Sequence, residues 1–110
     1  MLGTIIDGNG NAQFVVLPSQ EAIADRSGTI ATTGVSQVAL AANTGRSGYT
    51  IQNRSTTNPM YVNELGAAST GLGSFEIPPG GFFPPNGAPV HTNAVQILGT
   101  AGDLYTAREW

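Results

Sequence analysis

The residues that could perform catalysis are few, and their spacing does not assemble a catalytic site. His91 is the single histidine, and it lies in a segment, residues 88–93, that also contains proline and asparagine. A hydrolase triad needs a nucleophile, a base and an orienting acid within hydrogen-bonding reach. No serine lies in a G-x-S-x-G elbow. We therefore interpret His91 as an ordinary loop residue.

The acidic residues show no sign of a paired-carboxylate site. Glycosidases hold two carboxyl groups around the bond that they cleave, but no spacing among the acids favours any pair. Residues 71–73, Gly-Leu-Gly, are too sparse for a dinucleotide-binding loop, and no helical pattern follows them. The sequence therefore predicts a protein that is not an enzyme and that holds no cofactor. The acids are Asp7, Glu21, Asp25, Glu64, Glu76, Asp103 and Glu109.

Residues 7–11, Asp-Gly-Asn-Gly-Asn, begin like the calcium-binding loop of an EF-hand. The match then fails, because the sixth position needs glycine and is Ala12, and the twelfth needs a bidentate glutamate and is Pro18. We interpret this segment as a plain turn and predict no metal site. Cysteine is absent, so the chain offers no thiolate ligand and no disulfide.

The charge content is unusually low. Charged residues make up 10% of the chain, the net charge is −3, and there is no lysine, whereas about 25% charged residues is usual. A neutral polar surface suits permanent packing against protein. Binding to phosphates needs clustered Lys and Arg, and the four arginines are scattered among seven acids. We therefore expect protein partners and no nucleic acid.

The sequence shows no membrane or export signal. No run approaches the roughly 18 apolar residues that a membrane span needs. Residues 1–7 lack the basic start and the long apolar stretch of a signal peptide. We expect a soluble protein that is made in the cytoplasm and does not bind a membrane.

Short β-prone segments recur about every ten residues, separated by stretches rich in the 15 glycines and seven prolines. This spacing predicts an all-β fold, jelly-roll-like or a sandwich, of about eight short antiparallel strands. Two of these segments flank a polar loop and predict a hairpin over residues 48–64. The predicted strands are residues 14–17, 29–33, 36–40, 49–53, 60–64, 74–77, 94–98 and 104–108.

The first 28 residues differ from the rest. They contain the turn-rich segment, a single apolar run at residues 14–17, and a segment at residues 19–25 that can form one helical turn capped by Ser19. We predict an extended N-terminal arm over residues 1–28 and a sandwich or jelly-roll domain over residues 29–110.

Two segments have the composition of contact elements. Residues 77–85 hold four prolines beside Phe82 and Phe83, and strand alternation would place these two rings on opposite faces. The chain ends in Arg108, Glu109 and Trp110, and Trp and Arg are favoured contact residues. One alternative stays open for each segment. In the first segment, both phenylalanines cap the core. In the second, Trp110 packs back on its own domain.

Residues 46–66 resemble a family of small bacteriophage proteins. The shared pattern begins with Arg46 ahead of an alternating strand that ends in Gln-Asn, followed by an aromatic-Val-Asn strand. An Ile-Pro-Pro-Gly-Gly turn, an Ile-x-Gly-Thr segment and a Thr-Ala-x-Glu-Trp tail complete it. The resemblance covers about residues 28–110, and Arg26–Ile30 is also similar. The matching segments are residues 51–53, 61–63, 77–81, 97–100 and 106–110.

The resemblance implies a virion structural role, as a small cement or decoration protein of a short-tailed phage. Such proteins lie outside the major capsid shell and join neighbouring capsomers, commonly as dimers or trimers. The expected partners are thus the major capsid protein and further copies of the chain, as a dimer or trimer, and the expected location is the capsid exterior. We expect residues 1–28 and 77–85 to make the capsid or subunit contacts. The candidate contact residues are Phe14, Val16, Arg26, Phe82, Phe83, Arg108 and Trp110.

Two other functions stay open at this point. A tail or fibre component, or a module that binds carbohydrate on the host surface, would expose an aromatic platform, for example Tyr49, Tyr61 and Tyr105 on one face. By alternation, Tyr49 shares a face with Ile51, and Tyr61 shares a face with Asn63. A small sugar hydrolase, or a binding module of a larger enzyme, would need a cleft with paired acids, and the sequence offers none.

Overall fold

The computed structural model describes residues 2–6, 12–16, 22–84 and 92–110, and within these ranges it contains strands and no helix. The predicted all-β fold is confirmed, because nine short antiparallel strands form two sheets. Two further strands, β1 and β2, pair with each other. In chain order the strands are β1 Leu2–Ile6, β2 Ala12–Val16, β3 Ala24–Asp25, β4 Gly28–Thr29, β5 Gln37–Leu40, β6 Tyr49–Asn53, β7 Met60–Asn63, β8 Phe75–Ile77, β9 Phe82–Phe83, β10 Val95–Leu98 and β11 Leu104–Glu109.

The two sheets share one core between their inner faces. The four-stranded sheet has the order β5-β10-β7-β8, and the five-stranded sheet has the order β3-β11-β6-β9, with β4 also paired to β11. Strict alternation along β6 and β7 buries one face of each strand, as expected for strands with one face toward a core. The core residues are Ile30, Leu40, Tyr49, Ile51, Met60, Val62, Ile77, Phe83, Val95, Ile97, Tyr105 and Ala107.

The hairpin predicted over residues 48–64 is wrong. Strand β6 lies in the five-stranded sheet and β7 in the four-stranded sheet, so residues 54–59 cross from one sheet to the other. The chain leaves the five-stranded sheet only after Arg54, because the Arg54 N–H donates to the Leu104 carbonyl at 3.0 Å and so continues the pairing with β11. Alternation shows that each strand buries one face, but it does not identify the neighbouring strand.

The strand predicted over residues 29–33 ends earlier than expected. Strand β4 stops at Thr29, and Ile30 is then buried in the core at 1% exposure. Its backbone still bonds to the loop before β11, because its N–H donates to the Asp103 carbonyl and its carbonyl accepts from the Gly102 N–H, both at 2.9 Å. The chain then turns toward β5 through Gly34, whose φ of 73° favours glycine.

The N-terminal segment contains more strand than predicted. Strands β1 and β2 pair antiparallel, with Thr4 opposite Phe14 and Leu2 opposite Val16, where one strand was expected. Residues 19–21 of the predicted helical turn lie outside the described residues, and its last two residues form β3 instead. Strand β3 belongs to the five-stranded sheet, so the sandwich already includes part of the segment assigned to the arm.

Candidate interaction surface

The outer side of the five-stranded sheet gathers several of the predicted contact residues. Along β11 the side chains of Tyr105, Ala107 and Glu109 are buried, so the residues between them point outward. The register extends this outer side across the sheet: Gln52 pairs with Thr106 and Phe82, and Arg108 pairs with Thr50 and Asp25. We call this surface the five-strand face. It comprises Asp25, Thr29, Thr50, Gln52, Arg54, Phe82, Leu104, Thr106, Arg108 and Trp110.

The two adjacent phenylalanines point to opposite faces, as the alternation predicts. Phe82 is 65% exposed on the five-strand face, whereas Phe83 is buried in the core. The ring of Phe83 lies 5.4 Å from the ring of Phe75, which is itself exposed at the sheet edge. The alternative in which both Phe82 and Phe83 cap the core is therefore wrong. Pro84 follows Phe83 through a cis peptide bond.

Trp110 packs on its own domain and remains partly exposed. Its N–H donates to the Gly48 carbonyl at 3.0 Å, and its carbonyl accepts from the N–H groups of Ser47 and Gly48. The indole covers Gly48 so closely that a Cβ built on this glycine would lie 2.5 Å from the indole Cζ2 atom. The side chain keeps 41% of its surface exposed. Trp110 is thus an ordered aromatic group at one end of the five-strand face.

The charged groups of the five-strand face are two arginines and one acid. Asp25 accepts a hydrogen bond from the Ser27 N–H at 2.9 Å. Hydrogen bonds from Ser27, and to a smaller extent the charge of Arg108, lower the pKa of Asp25. Arg54 Nη1 donates to Thr106 Oγ1 at 3.4 Å across the face. The face therefore carries a small positive excess on a chain whose net charge is −3.

The remaining predicted contact residues lie elsewhere. Arg26 is exposed beside a groove between the two sheets, lined also by Ala41, Ala42, Asn43 and Glu109. Phe14 and Val16 lie on β2, of which the structure describes the backbone. His91 and the calcium-like segment at residues 7–11 lie outside the described residues.

A buried polar cluster centred on Arg46 closes one end of the sandwich. The sequence pattern did not predict this cluster. Arg46 donates from Nη1 to the Asn93 carbonyl at 2.9 Å and from Nη2 to the Ala41 carbonyl at 2.8 Å. Its Nη2 also lies 3.6 Å from Oε2 of Glu109, and its guanidinium carbon lies 5.4 Å from the centre of the Tyr49 ring. Both charged side chains are almost fully buried. The carbonyls belong to segments flanking the four-stranded sheet, so Arg46 joins the two sheets.

A second buried polar group, Asn53, holds two loops at the edge of the sandwich. Its Nδ2 donates to the carbonyls of Asn58 and Ile77, at 2.8 and 3.0 Å. Its Oδ1 accepts from the Ser55 N–H at 2.9 Å. Its backbone also bonds to the turn after β8, because the Asn53 N–H donates to Gly81 and its carbonyl accepts from Gly80. The Gln-Asn strand end and the Pro-Pro-Gly-Gly turn noted in the sequence are therefore one structural unit.

The outer side of the four-stranded sheet is partly covered by the chain itself. Asn63 and Gln96 are register partners there. The Asn63 Nδ2 donates to the Ala67 carbonyl at 3.1 Å, and Ser36 Oγ donates to Gln96 and accepts from the Ala68 N–H. The segment after β7 thus runs over this sheet, which leaves the five-strand face as the more open of the two among the described residues.

The aromatic platform expected for a carbohydrate-binding module is not formed by the three tyrosines. Tyr49 and Tyr105 are buried in the core, while Tyr61 points outward from the other sheet. Tyr49 donates a hydrogen bond to Glu64. Burial, and then the hydrogen bond and charge of Glu64, raise the pKa of the Tyr49 phenol. Alternation placed Tyr49 with Ile51 correctly, and it is the inner face that they share.

Metal-binding and membrane-spanning features were also sought in the described residues. They contain no group of three or more His, Cys, Asp or Glu side chains that could hold a metal ion. In the same part of the chain, no helix is long and apolar enough to cross a membrane.

Comparison with known proteins yields no relative: no family model, no curated protein and no solved structure matches the chain. The fold itself defines an antiparallel β-sandwich of two sheets. Its buried polar clusters stabilise the fold, and part of its exposed apolar surface lies on the five-strand face.

Proposed function

We propose that this chain is a structural protein of a bacteriophage particle, which binds the outer surface of the major capsid shell and stabilises it across capsomer seams. The proposal combines the resemblance of residues 28–110 to small phage proteins with the fold. A compact antiparallel sandwich of low charge suits permanent packing against protein.

The observation that carries the proposal is the structural role of the motif residues. Arg46 pairs with Glu109 of the C-terminal motif, and Asn53 bonds to the Ile-Pro-Pro-Gly-Gly turn at residues 77–81. The segments that carry the resemblance to phage proteins therefore meet in pairs and stabilise the sandwich. Motif residues of this kind stabilise the fold. Contacts with a partner protein are then made by the exposed loops and strands.

Exposed apolar side chains are available for such contacts with a partner protein. Phe75 and Phe82 are each 65% exposed, on the edge strands β8 and β9, on either side of residues 78–81. Aromatic groups of this kind act as anchors when a partner surface buries them. We propose that this edge and the N-terminal arm, with its β1–β2 pair, contact the shell.

The test is the copy number of the protein in purified phage particles, measured by quantitative mass spectrometry against the major capsid protein. A ratio near one, or a simple fraction such as one-half, is expected for a protein that covers the shell. A ratio of a few per cent would overturn the shell assignment in favour of a tail or fibre component. Absence from the particles would overturn any virion role.

An addition experiment tests the contact surface. Shells prepared without the protein should bind the purified full-length chain, and the double variant F75S/F82S should bind more weakly. The variant Leu65→Ser is the matched control, because Leu65 is 85% exposed in the loop after β7 and lies on neither edge strand. Equal binding by the double variant and the wild type would exclude the β8–β9 edge as the contact.

A further inference from the structure

We propose that the five-strand face binds an extended acidic segment of a partner protein, in which carboxylates two residues apart pair with Arg54 and Arg108. The chemistry of this segment is inferred from the charges and the spacing of the face itself. Its assignment to the major capsid protein rests on the function proposed above. The contact then continues from the β8–β9 edge across the five-stranded sheet.

The exposed arginines of the described chain lie on one side of the sandwich. Arg54 follows β6, Arg108 lies on β11, and Arg26 lies between β3 and β4 at the edge of the same sheet. The fourth arginine, Arg46, is buried in an ion pair. The exposed Glu76 lies on β8 of the other sheet. The five-stranded sheet therefore presents positive charge on a chain whose net charge is −3, and a partner of complementary charge is acidic.

Neither arginine of the face forms an ion pair with its own chain. Within the described residues the one ion pair is the buried one, which involves neither Arg54 nor Arg108. Asp25, the acid of the face, accepts a hydrogen bond from the Ser27 N–H at 2.9 Å. Hydrogen bonds from Ser27 lower the pKa of Asp25 more than the charge of Arg108 does. Both guanidinium groups are thus available for carboxylates, which arginine binds through two parallel hydrogen bonds.

Thr106 brings the guanidinium of Arg54 close to Arg108. Arg54 Nη1 donates to Thr106 Oγ1 at 3.4 Å, so this guanidinium reaches across to β11. Thr106 and Arg108 are successive outward-facing residues of β11, about 6.6 Å apart. An extended segment has the same repeat, because its residues i and i+2 lie on one side. Carboxylates two residues apart therefore reach both arginines when the segment lies along β11.

A shallow groove between β4 and β11 lies beside Arg54 and can hold such a segment. Its lining includes the hydroxyl groups of Ser27, Thr29 and Thr106. Leu104 adds an apolar side chain that is 57% exposed. Because β6 and β11 each pair with strands on both sides, the segment cannot join the sheet as a further strand. Hydroxyl groups both donate and accept hydrogen bonds, so they can bind the backbone of the segment instead.

The face is continuous with the edge that we propose contacts the shell. Gln52 pairs in register with Phe82 on one side and with Thr106 on the other. Phe82 therefore lies about 10 Å from Thr106, which is two strand spacings. One partner surface can cover the exposed ring of Phe82 and both arginines together. Buried aromatic anchors with arginine and polar contacts around them are common in protein interfaces.

Titration of the full-length chain with a peptide of alternating glutamate and threonine tests the face itself. Changes in amide chemical shift are expected at residues 52–54 and 104–108. A peptide with glutamine in place of glutamate should cause none. The variants Arg54→Gln and Arg108→Gln should each weaken binding about tenfold, because each removes a charge-assisted contact. Arg54→Lys should retain part of the affinity, since it keeps the charge and loses the planar fork.

The matched control is Arg26→Gln. This variant removes the same charge from an exposed arginine that lies beside the groove between the two sheets, and it should leave the affinity for the peptide nearly unchanged. No shift changes with the acidic peptide, or an equal loss for Arg26→Gln and Arg54→Gln, would overturn the proposal. Equally tight binding of polygalacturonate, an acidic polysaccharide, would overturn the choice of a protein partner.

Shells prepared without the protein separate this proposal from the function proposed above. They should bind Arg54→Gln about tenfold more weakly than the wild type, and Arg26→Gln as well as the wild type. Added salt should weaken the wild type more than Arg54→Gln. Equal binding of all three chains would overturn the proposal and leave the function standing. Binding of the acidic peptide without binding of shells would support the face and overturn the shell assignment.

Discussion

Arg46 and Glu109 form a buried ion pair at one end of the sandwich, with 3.6 Å between Nη2 and Oε2. Arg46 lies just before β6 and Glu109 ends β11, so the ion pair lies near one end of the ladder between these strands. Because the same guanidinium donates to carbonyls beside the four-stranded sheet, one side chain ties both sheets together. Asn43 adds a hydrogen bond to Glu109 Oε1 at 2.6 Å.

The substitution Arg46→Leu is expected to lower the free energy of unfolding by about 3–5 kcal/mol, because it leaves the buried Glu109 carboxylate without its opposite charge. Urea denaturation measures the change. The control Arg54→Leu removes an exposed arginine and should change stability by less than about 0.5 kcal/mol. A loss below about 1 kcal/mol for Arg46→Leu would contradict the role assigned to the pair.

Asn53 is fully buried and bonds to three backbone groups. The substitution Asn53→Ala should lower the free energy of unfolding by about 2–4 kcal/mol, because each buried polar group left without a partner costs about 1–3 kcal/mol. The control Asn63→Ala removes an asparagine whose bonds to Leu65 and Ala67 are exposed, and it should cost about 1 kcal/mol. Equal losses in the two denaturation curves would show that burial of Asn53 is not the cause.

Alternation in the sequence predicts which side chains of a strand face the core. It identified Tyr49 and Ile51 as neighbours on one face, and it separated Phe82 from Phe83. These predictions succeed because a strand has a period of two residues whatever its neighbours are. For Trp110 the alternative in which it packs back on its own domain is confirmed, since the indole lies on Gly48, and its role as a contact residue stays a prediction.

The contacts between distant segments could not be predicted in this way. The hairpin over residues 48–64 failed because the pattern of a strand does not reveal which sheet it joins. The buried position of Arg46 was missed because arginine is mostly exposed in proteins. Its partners, Ala41, Asn93 and Glu109, come together only once both sheets have formed. The five-strand face likewise depends on the register between β11 and three other strands.

Gly48 leaves room for the indole of Trp110, so adding a methyl group there should displace the ring. The substitution Gly48→Ala is expected to shift the tryptophan emission to longer wavelength and to lower stability by about 1–3 kcal/mol, the usual cost of overpacking. The control Gly66→Ala adds a methyl group with no atom within 4 Å, and it should leave the emission unchanged. An unchanged emission for Gly48→Ala would show that the ring does not lie on this glycine.

The raised pKa of Tyr49 predicts a loss of stability at alkaline pH. Below the ordinary tyrosine pKa of 10.0, both folded and unfolded chains carry a neutral phenol, so the stabilising effect is complete. As the pH rises above 10, the unfolded chain releases this proton while the folded chain keeps it. The free energy of unfolding should therefore fall, by up to about 1.4 kcal/mol per pH unit for this one group.

The chain has neither lysine nor cysteine, so no side-chain ammonium or thiol titrates in this range. Urea denaturation of the wild type, Tyr49→Phe and Tyr61→Phe between pH 9 and pH 11 should separate the contribution of Tyr49. Tyr49→Phe should lower stability at pH 9, because it removes the hydrogen bond to Glu64, and it should flatten the alkaline slope. Tyr61→Phe should keep the slope that Tyr49 produces, because the environment of Tyr49 is unchanged. A slope that survives Tyr49→Phe in full would show that the alkaline loss arises from another group.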